Sequence, residues 1–161
     1  MKATIQKAIE LRKQGKLQES ISLLFTIYDD NSTDGYLNYQ IAWSYDNLEE
    51  ERKAVPFYEK AIEYGLEEKD LQEAYLGLGS TYRVLGEYEK SSKLYQEALT
   101  LFPDNHALRV FYSMVLFNLE KHEQAMEILL KLIAVDSKDS NINAFKKAIL
   151  FYSDKLTQTF S

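Results

Sequence analysis

The stretch from Gln72 to Asn105, QEAYLGLGSTYRVLGEYEKSSKLYQEALTLFPDN, decides the fold of this chain. Small and apolar residues fall on one face in each half of it: Leu78, Gly79 and Tyr82 in the first, Ser91, Tyr95 and Ala98 in the second. Residues 85–87, Leu-Gly-Glu, predict a tight turn between two helices. Pro103 is expected to end the second helix, and Asp104 to cap the next one.

The same spacing recurs along the chain. Small residues occupy two equivalent positions in four successive units: Ala8 and Ser20, Ala42 and Ala54, Gly79 and Ser91, Ser113 and Ala125. The spacing between units is 34 residues, except for three extra residues before the third unit. Because two helices that cross closely leave no room for a large side chain, this pattern predicts four tightly packed helix pairs.

A 34-residue period with this alternation of small and large sites resembles the tetratricopeptide repeat. The resemblance covers four units: 1–34, 35–68, 72–105 and 106–139. It implies one all-α domain spanning residues 1–161, a right-handed α-solenoid of four helix hairpins. A terminal helix at 140–160 is expected to cap the last unit.

Within that family, one run is similar to a small group of stand-alone bacterial repeat proteins. It is residues 54–99, AVPFYEKAIEYGLEEKDLQEAYLGLGSTYRVLGEYEKSSKLYQEAL, which includes the three extra residues. That group includes dimers and has no established activity. The resemblance therefore implies the fold far more than the function.

Charge and composition exclude several classes of function. The formal net charge is −6, and no basic stripe is evident, so we expect neither a nucleic-acid partner nor binding to an anionic membrane. The absence of cysteine excludes disulfides and thiolate chemistry. The charged, amphipathic start predicts no signal peptide, and no apolar run is long enough to span a membrane. We therefore expect a cytoplasmic protein.

The reactive residues predict no enzyme, no metal site and no cofactor. His106 and His122 are the only histidines, and they begin different helices of the fourth unit, where surface capping is the expected role. Gly77 and Gly79 lie within a helix rather than in a phosphate-binding loop. The three glutamates at 49–51 suit the positive end of a helix dipole better than a metal site.

Helix ends can also be predicted. Asp34 is a plausible N-cap for the first helix of the second unit. Asp70 and Glu73 form a capping-box pattern, so we expect the three extra residues to lengthen a loop. Pro56 stands too far into a second helix to be accommodated without change, so that helix either starts late or kinks.

The resemblance implies that the first helices line an inner, concave wall. That wall mixes aromatic, amide and arginine side chains, which suits an extended or helical peptide. We predict a protein- or peptide-binding adaptor with these contact residues: Tyr36, Tyr39, Gln40, Trp43, Asn47, Leu76, Ser80, Arg83, Met114 and Asn118. Tyr39, Trp43 and Asn47 are expected to be exposed, whereas the last helix is expected to cover Phe111, Met114 and Phe117.

One binding mode of the family is not expected here. Its chaperone-tail binders hold a terminal carboxylate with Lys, Arg and Asn side chains. The matching positions are Ile5, Ile9, Gln40, Glu73 and Gly77, so the clamp is absent and Glu73 would repel a carboxylate.

The tail from Ser140 to Ser161 predicts a last helix with one broad apolar stripe: Ile142, Phe145, Ile149, Tyr152, Leu156 and Phe160. We expect this helix to be buried within the chain. The close alternative is a homodimer contact through Phe145, Ile149, Phe151, Tyr152 and Leu156. A third hypothesis is a chaperone for an apolar segment of a partner protein.

Overall fold

The computed structural model describes residues 1–159, and every regular element in that range is helical. The α-helices are α1 Lys2–Lys13, α2 Leu17–Phe25, α3 Gly35–Asn47, α4 Glu51–Tyr64, α5 Glu68–Val84, α6 Tyr88–Leu101, α7 His106–Asn118, α8 His122–Asp136, α9 Ser140–Ala144 and α10 Lys146–Tyr152. A short 3₁₀ helix, Asp29–Asn31, follows α2. Within the described residues, no helix has both the length and the apolar character needed to cross a membrane.

The chain divides into two compact halves, an N-terminal half Met1–Glu87 with α1 to α5 and a C-terminal half that begins at Tyr88. In the N-terminal half, the first and second helices of each pair are antiparallel neighbours around a core of Ile5, Ala8, Leu24, Leu37 and Ile41. In the C-terminal half, α7 packs against α6 and α8, and α10 packs against α8.

Four turns share one geometry. A residue with positive φ stands at the fifteenth position of each predicted unit: Gly15 (φ 77°), Glu49 (φ 58°), Gly86 (φ 77°) and Glu120 (φ 60°). The next residue donates its backbone N–H to a carbonyl five residues earlier, as Lys16 does to Leu11 at 2.9 Å and Lys121 to Leu116 at 2.9 Å. These bonds satisfy carbonyls at the helix end, so the turn needs a left-handed residue.

The eight small residues are all buried, as their spacing predicted. In the first hairpin the two small sites contact each other, because Ser20 Oγ donates a 2.7 Å hydrogen bond to the carbonyl of Ala8. A second close approach joins the start of α3 to the end of α4. A Cβ atom built on Gly35 would lie 2.0 Å from the carbonyl oxygen of Gly65, so only glycine fits at that position.

Several predicted helix ends need correction. Asp34 does cap α3, accepting from Leu37 N at 2.7 Å. However, α5 already begins at Glu68, so the three extra residues extend a helix rather than a loop, and Asp70 lies in its first turn. The N-cap of α7 is Asn105 instead of Asp104. Pro56 lies inside α4, which does not start late.

The tail is two short helices instead of one. Asp139 caps α9 by accepting from two backbone N–H groups, and the helix ends at Ala144, with Phe145 (φ −103°, ψ 10°) as its C-cap. Asn141, Ile142 and Asn143 are weak helix formers, which accounts for the short length of α9. Phe160, the last residue of the predicted stripe, lies outside the described residues.

The expected burial of the tail is also wrong. Four of the five predicted dimer residues are exposed, and Ile149 is half-buried: Phe145 is 66% exposed, Phe151 52%, Tyr152 49% and Leu156 49%. The tail does not cover α7 either, since Met114 and Phe117 are 39% and 63% exposed and Phe111 is half-buried. The reason is that α10 packs on α8.

Candidate functional site

The first helices of the N-terminal half, α1, α3 and α5, lie side by side. We call the surface on which they carry Arg12, Tyr36, Trp43, Asn47 and Ser80 the first-helix face. Polar contacts tie these three helices together beneath that face, between α1 and α3 through Arg12 and between α3 and α5 through Tyr39 and Asp46.

Arg12 is the charged residue at the centre of the α1–α3 junction, and it is only 8% exposed. Its Nη1 donates to the carbonyl of Gln40 at 3.1 Å and to Ser44 Oγ at 3.0 Å, and its Nη2 donates to Gln40 Oε1 at 2.6 Å. The guanidinium carbon also lies 4.3 Å from the centroid of the Trp43 ring, a cation–π contact. Burial lowers the pKa of the Arg12 guanidinium.

Three aromatic rings follow one another along α3. Tyr36 and Tyr39 have centroids 6.4 Å apart, and Tyr39 and Trp43 have centroids 5.7 Å apart. Tyr36 and Trp43 are 38% and 41% exposed, whereas Tyr39 is 3% exposed and packs on Tyr58. The two exposed rings therefore rest on a buried one.

The prediction that Tyr39 is exposed is wrong, and Gln40 is buried too, at 2% exposure. Each is held by a polar partner on a neighbouring first helix. Tyr39 Oη donates to Glu73 Oε2 at 2.8 Å, and Gln40 accepts from Arg12. Burial, followed by the hydrogen bond to Glu73, raises the pKa of Tyr39 far above its ordinary value. These two side chains support the face rather than form its surface.

The other predicted contact residues differ in exposure. Asn47 is exposed, and its Nδ2 donates to the carbonyl of Trp43 at 2.7 Å. Leu76, Ser80 and Arg83, on α5, are half-buried. Met114 and Asn118 lie on α7 of the C-terminal half, where Met114 is exposed and Asn118 is half-buried.

Asp46 is a half-buried residue that joins three helices and was not among the predicted contact residues. Its Oδ2 accepts from Tyr58 Oη at 2.6 Å, and its Oδ1 accepts from Thr81 Oγ1 at 3.1 Å. The carboxylate therefore joins α3 to both α4 and α5. Burial raises its pKa more than these hydrogen bonds lower it. Only contacts between distant helices identify it, so periodicity alone could not.

The prediction that the two histidines cap their helices is wrong. Asn105 and Lys121 are the N-cap residues of α7 and α8. His106 Nδ1 lies 2.5 Å from Asp136 Oδ2, and the His122 ring packs against Phe117 with centroids 4.7 Å apart. Across the described residues, no group of three His, Cys, Asp or Glu side chains is placed to hold a metal ion.

Comparison with known proteins identifies the family to which this fold belongs. A family profile described as "Tetratrico peptide repeat" matches residues 35–156, and no curated protein sequence matches the chain. A tetratricopeptide repeat protein from Parabacteroides merdae is similar in structure, with a TM-score of 0.76 and 19% identity. The match covers 96% of this chain and 59% of that one. This chain therefore spans less than two thirds of that relative.

Two further crystal structures are similar. YrrB, described as a TPR protein with an unusual peptide-binding site, has a TM-score of 0.72 and 18% identity over 94% of this chain and 77% of its own. The pilF protein of Pseudomonas aeruginosa has a TM-score of 0.70 and 18% identity over 96% and 69%. At such identities the likeness shows the fold alone. Because the family profile matches about three quarters of the length of this chain, the chain belongs to the tetratricopeptide repeat family.

Proposed function

We propose that this protein is a non-catalytic scaffold that binds a peptide segment of a partner protein on the first-helix face. Tyr36, Trp43 and Asn47 would contact the segment from α3, and Leu76, Ser80 and Arg83 would contact it from α5. Met114 and Asn118, on α7 of the C-terminal half, are proposed as contact residues of that half. Membership of a family of interaction scaffolds supports the general role.

The main support for the proposal is that Trp43 is both exposed and held in place by its neighbours. Its ring is 41% exposed, yet it is held against the guanidinium of Arg12 and the ring of Tyr39. A large side chain that is fixed before binding loses little rotamer freedom when a partner docks. Tryptophan and tyrosine held in this way are the residues that dominate binding energy at interfaces.

The test is selection of random dodecapeptides without tryptophan on the immobilised full chain. Selected peptides are then titrated in solution, where the fluorescence of Trp43, the only tryptophan, reports contact, and isothermal titration calorimetry measures the affinity of each variant. We expect Trp43→Leu to weaken binding by about tenfold or more, as removal of an anchor residue does. Tyr64→Leu is the matched control, because Tyr64 is 42% exposed at the end of α4. Failure to select any peptide, or equal affinity in the Trp43 variant, would refute the proposal.

The same selection separates the chaperone hypothesis from the scaffold hypothesis. A chaperone for an apolar segment would select peptides that share only hydrophobicity. A scaffold with a defined partner would select a sequence motif with polar positions, because the face offers amide and charged groups beside the aromatic rings.

Self-association is a second candidate, favoured by the exposed tail. Phe145, Phe151 and Leu156 leave an apolar surface on the C-terminal half. The same segment of sequence contains exposed lysines and aspartates, so a second copy would offer both apolar area and complementary charges: Asp136, Lys138, Asp139, Lys146 and Lys147. We propose an isologous homodimer at this surface.

Sedimentation velocity on the full chain tests self-association. We expect a dimer that Phe151→Glu converts to a monomer, since a carboxylate would then be buried. Val84→Glu is the control, because Val84 is 61% exposed at the end of α5 in the other half. A monomer at every protein concentration would remove this candidate without affecting the first.

A further inference from the structure

We propose that the segment bound on the first-helix face is acidic, with Asp or Glu side chains that pair with Arg12, Lys2 and Lys13 of α1. This inference rests on the proposed function and names the chemistry of its ligand. The proposed ligand is an internal acidic stretch of a partner protein.

Arg12 is a buried cation whose contacts within the described residues are all neutral. Its partners are the side chain and carbonyl of Gln40, the hydroxyl of Ser44 and the ring of Trp43. A charge that is removed from water without a counter-charge is unfavourable, and a carboxylate brought by a ligand would remove that cost.

The guanidinium also has donors left for such a ligand. Arginine has five N–H groups, and the contacts of Arg12 use three of them, two on Nη1 and one on Nη2. The remaining two are Nε–H and the second N–H of Nη2. A carboxylate of the ligand would accept charge-assisted hydrogen bonds from these donors.

Two acidic residues near the face accept hydrogen bonds from other donors, and the ligand carboxylates are proposed to lie along α1, away from Glu73 on α5. Asp34 accepts from the backbone N–H of Leu37, and Glu73 accepts from Tyr39. The groups that bear electrostatically on Arg12 are the phenols of Tyr36, Tyr39 and Tyr58, which are neutral at physiological pH. Among residues 1–159, no carboxylate therefore pairs directly with Arg12.

The first sixteen residues, which include α1, are strongly basic. Residues 1–16 contain five basic residues and one acidic residue, a net charge of +4, so the remainder of the chain carries −10 of the total of −6. The basic residues are Lys2, Lys7, Arg12, Lys13 and Lys16. This local excess is masked in the overall charge, and it makes α1 a basic element that would attract carboxylates.

The positions of these charges favour an internal stretch over a single terminal carboxylate. Lys2 and Lys13 are eleven residues apart, three helical turns, so they lie on the same side of α1 at a separation of about 16 Å. Lys2 lines a shallow pocket with Ile5, Ile9 and Tyr36, which places it beside the exposed aromatic rings. A row of this length matches several acidic side chains, whereas a terminal carboxylate would meet only one cation.

The probes are the dodecapeptides selected on the full chain, used as C-terminal amides so that no terminal carboxylate contributes. We expect enrichment in Asp and Glu, and a matched Glu→Gln peptide should bind about tenfold more weakly. Lys13→Gln and Lys2→Gln should each weaken binding severalfold, and the weakening should shrink as salt is added.

Lys7→Gln is the matched control, because it removes the same charge from the opposite side of α1 and should leave affinity unchanged. Arg12→Lys keeps the charge but has fewer N–H donors, so binding should fall while the helical circular dichroism spectrum is retained. The two lysine variants keep the test valid even if Arg12→Lys unfolds, since both lysines are exposed.

Three outcomes would overturn the inference. Selected peptides could be neutral, the Glu→Gln peptide could bind equally well, or Lys7→Gln could weaken binding as much as Lys13→Gln. In each case a role for Trp43 in binding would leave the proposed function standing, and Arg12 would be only a tie between α1 and α3. Selection of no peptide at all would remove both proposals together.

Discussion

Tyr58 on α4 donates a 2.6 Å hydrogen bond to Asp46 on α3, and the same carboxylate accepts from Thr81 on α5. One side chain therefore joins three helices of the N-terminal half. Because Tyr58 is 3% exposed, this junction lies below the first-helix face and sets the spacing of the helices that form it.

Asp46 predicts a pH dependence of stability. Burial raises the pKa of Asp46, so the folded protein keeps this proton at pH values where the unfolded chain has lost it. Stability from this group is then fully present below the ordinary carboxyl pKa and is lost as pH rises through the higher folded value. We expect Asp46→Asn to remove this component, measured by urea unfolding of both proteins from pH 3.5 upward.

Other carboxylates titrate in both proteins, so the informative quantity is the difference between their free energies of unfolding. The free energy of unfolding of the native sequence, minus that of Asp46→Asn, should decrease with rising pH. A difference that is constant or rises with pH would show that the hydrogen bonds from Tyr58 and Thr81 outweigh burial at Asp46.

Gly77 predicts a second, steric property of the same junction. A Cβ atom at Gly77 would lie 2.6 Å from the hydroxyl oxygen of Tyr58 and 2.7 Å from its ring carbon Cζ. Alanine is intrinsically the better helix former by about 1 kcal/mol, but displacing a buried ring costs about 1–3 kcal/mol. We expect Gly77→Ala to destabilise the protein by about 1 kcal/mol, measured by urea unfolding.

The matched background for Gly77→Ala is Tyr58→Leu, which shortens the opposing side chain. In that background the added methyl group should be neutral or stabilising, so the two changes should be strongly non-additive. Equal destabilisation in both backgrounds would mean that Tyr58 is not the obstacle.

The helix pairs could be predicted because they follow from spacing. Ala8 and Ser20 recur at fixed positions since two helices must cross there, and both are buried with a hydrogen bond between them. Such a pattern depends on helix geometry and little on what surrounds the helix. The same holds for the turn at Gly15, where the backbone conformation favours glycine.

The depth of the site residues could not be predicted in the same way. Helical periodicity places Tyr39 on the side of α3 that includes Trp43. However, Tyr39 is buried, and its hydroxyl donates a hydrogen bond to Glu73 on the next first helix. Likewise, the burial of Arg12 depends on Gln40, 28 residues away in the chain. These are pairwise contacts between helices, and no single-helix pattern contains them.

The closeness of the first hairpin predicts a large effect at Ala8, which has no exposed surface. Ala8→Leu would insert three carbon atoms between α1 and α2, where Ser20 bonds to the carbonyl of residue 8. We expect a loss of about 1–3 kcal/mol or more in the free energy of unfolding. Ala3→Leu, at an exposed site on the same helix, should change stability by no more than about 0.5 kcal/mol. Similar values for the two variants would contradict the close crossing.

The turn residues Glu49 and Glu120 predict two stabilising substitutions. Both have positive φ, 58° and 60°, at the position that glycine occupies in the other two turns. A left-handed conformation costs a residue with a side chain about 1–2 kcal/mol, and glycine gives back about 0.4–1 kcal/mol through the unfolded chain. We expect Glu49→Gly and Glu120→Gly each to raise the free energy of unfolding by about 0.5–1 kcal/mol.

Gly15→Glu is the reverse substitution at the equivalent turn and should lower stability by a similar amount, since nothing lies within 4 Å of a Cβ built at that glycine. Steric contact is therefore not involved, and the effect isolates the backbone conformation. Urea unfolding of the three variants measures the effect of replacing glutamate by glycine and of replacing glycine by glutamate at equivalent turn positions. If Glu49→Gly destabilised the protein while Gly15→Glu had no effect, the glutamate side chain itself would stabilise the turn, and conformational strain would not be the governing factor there.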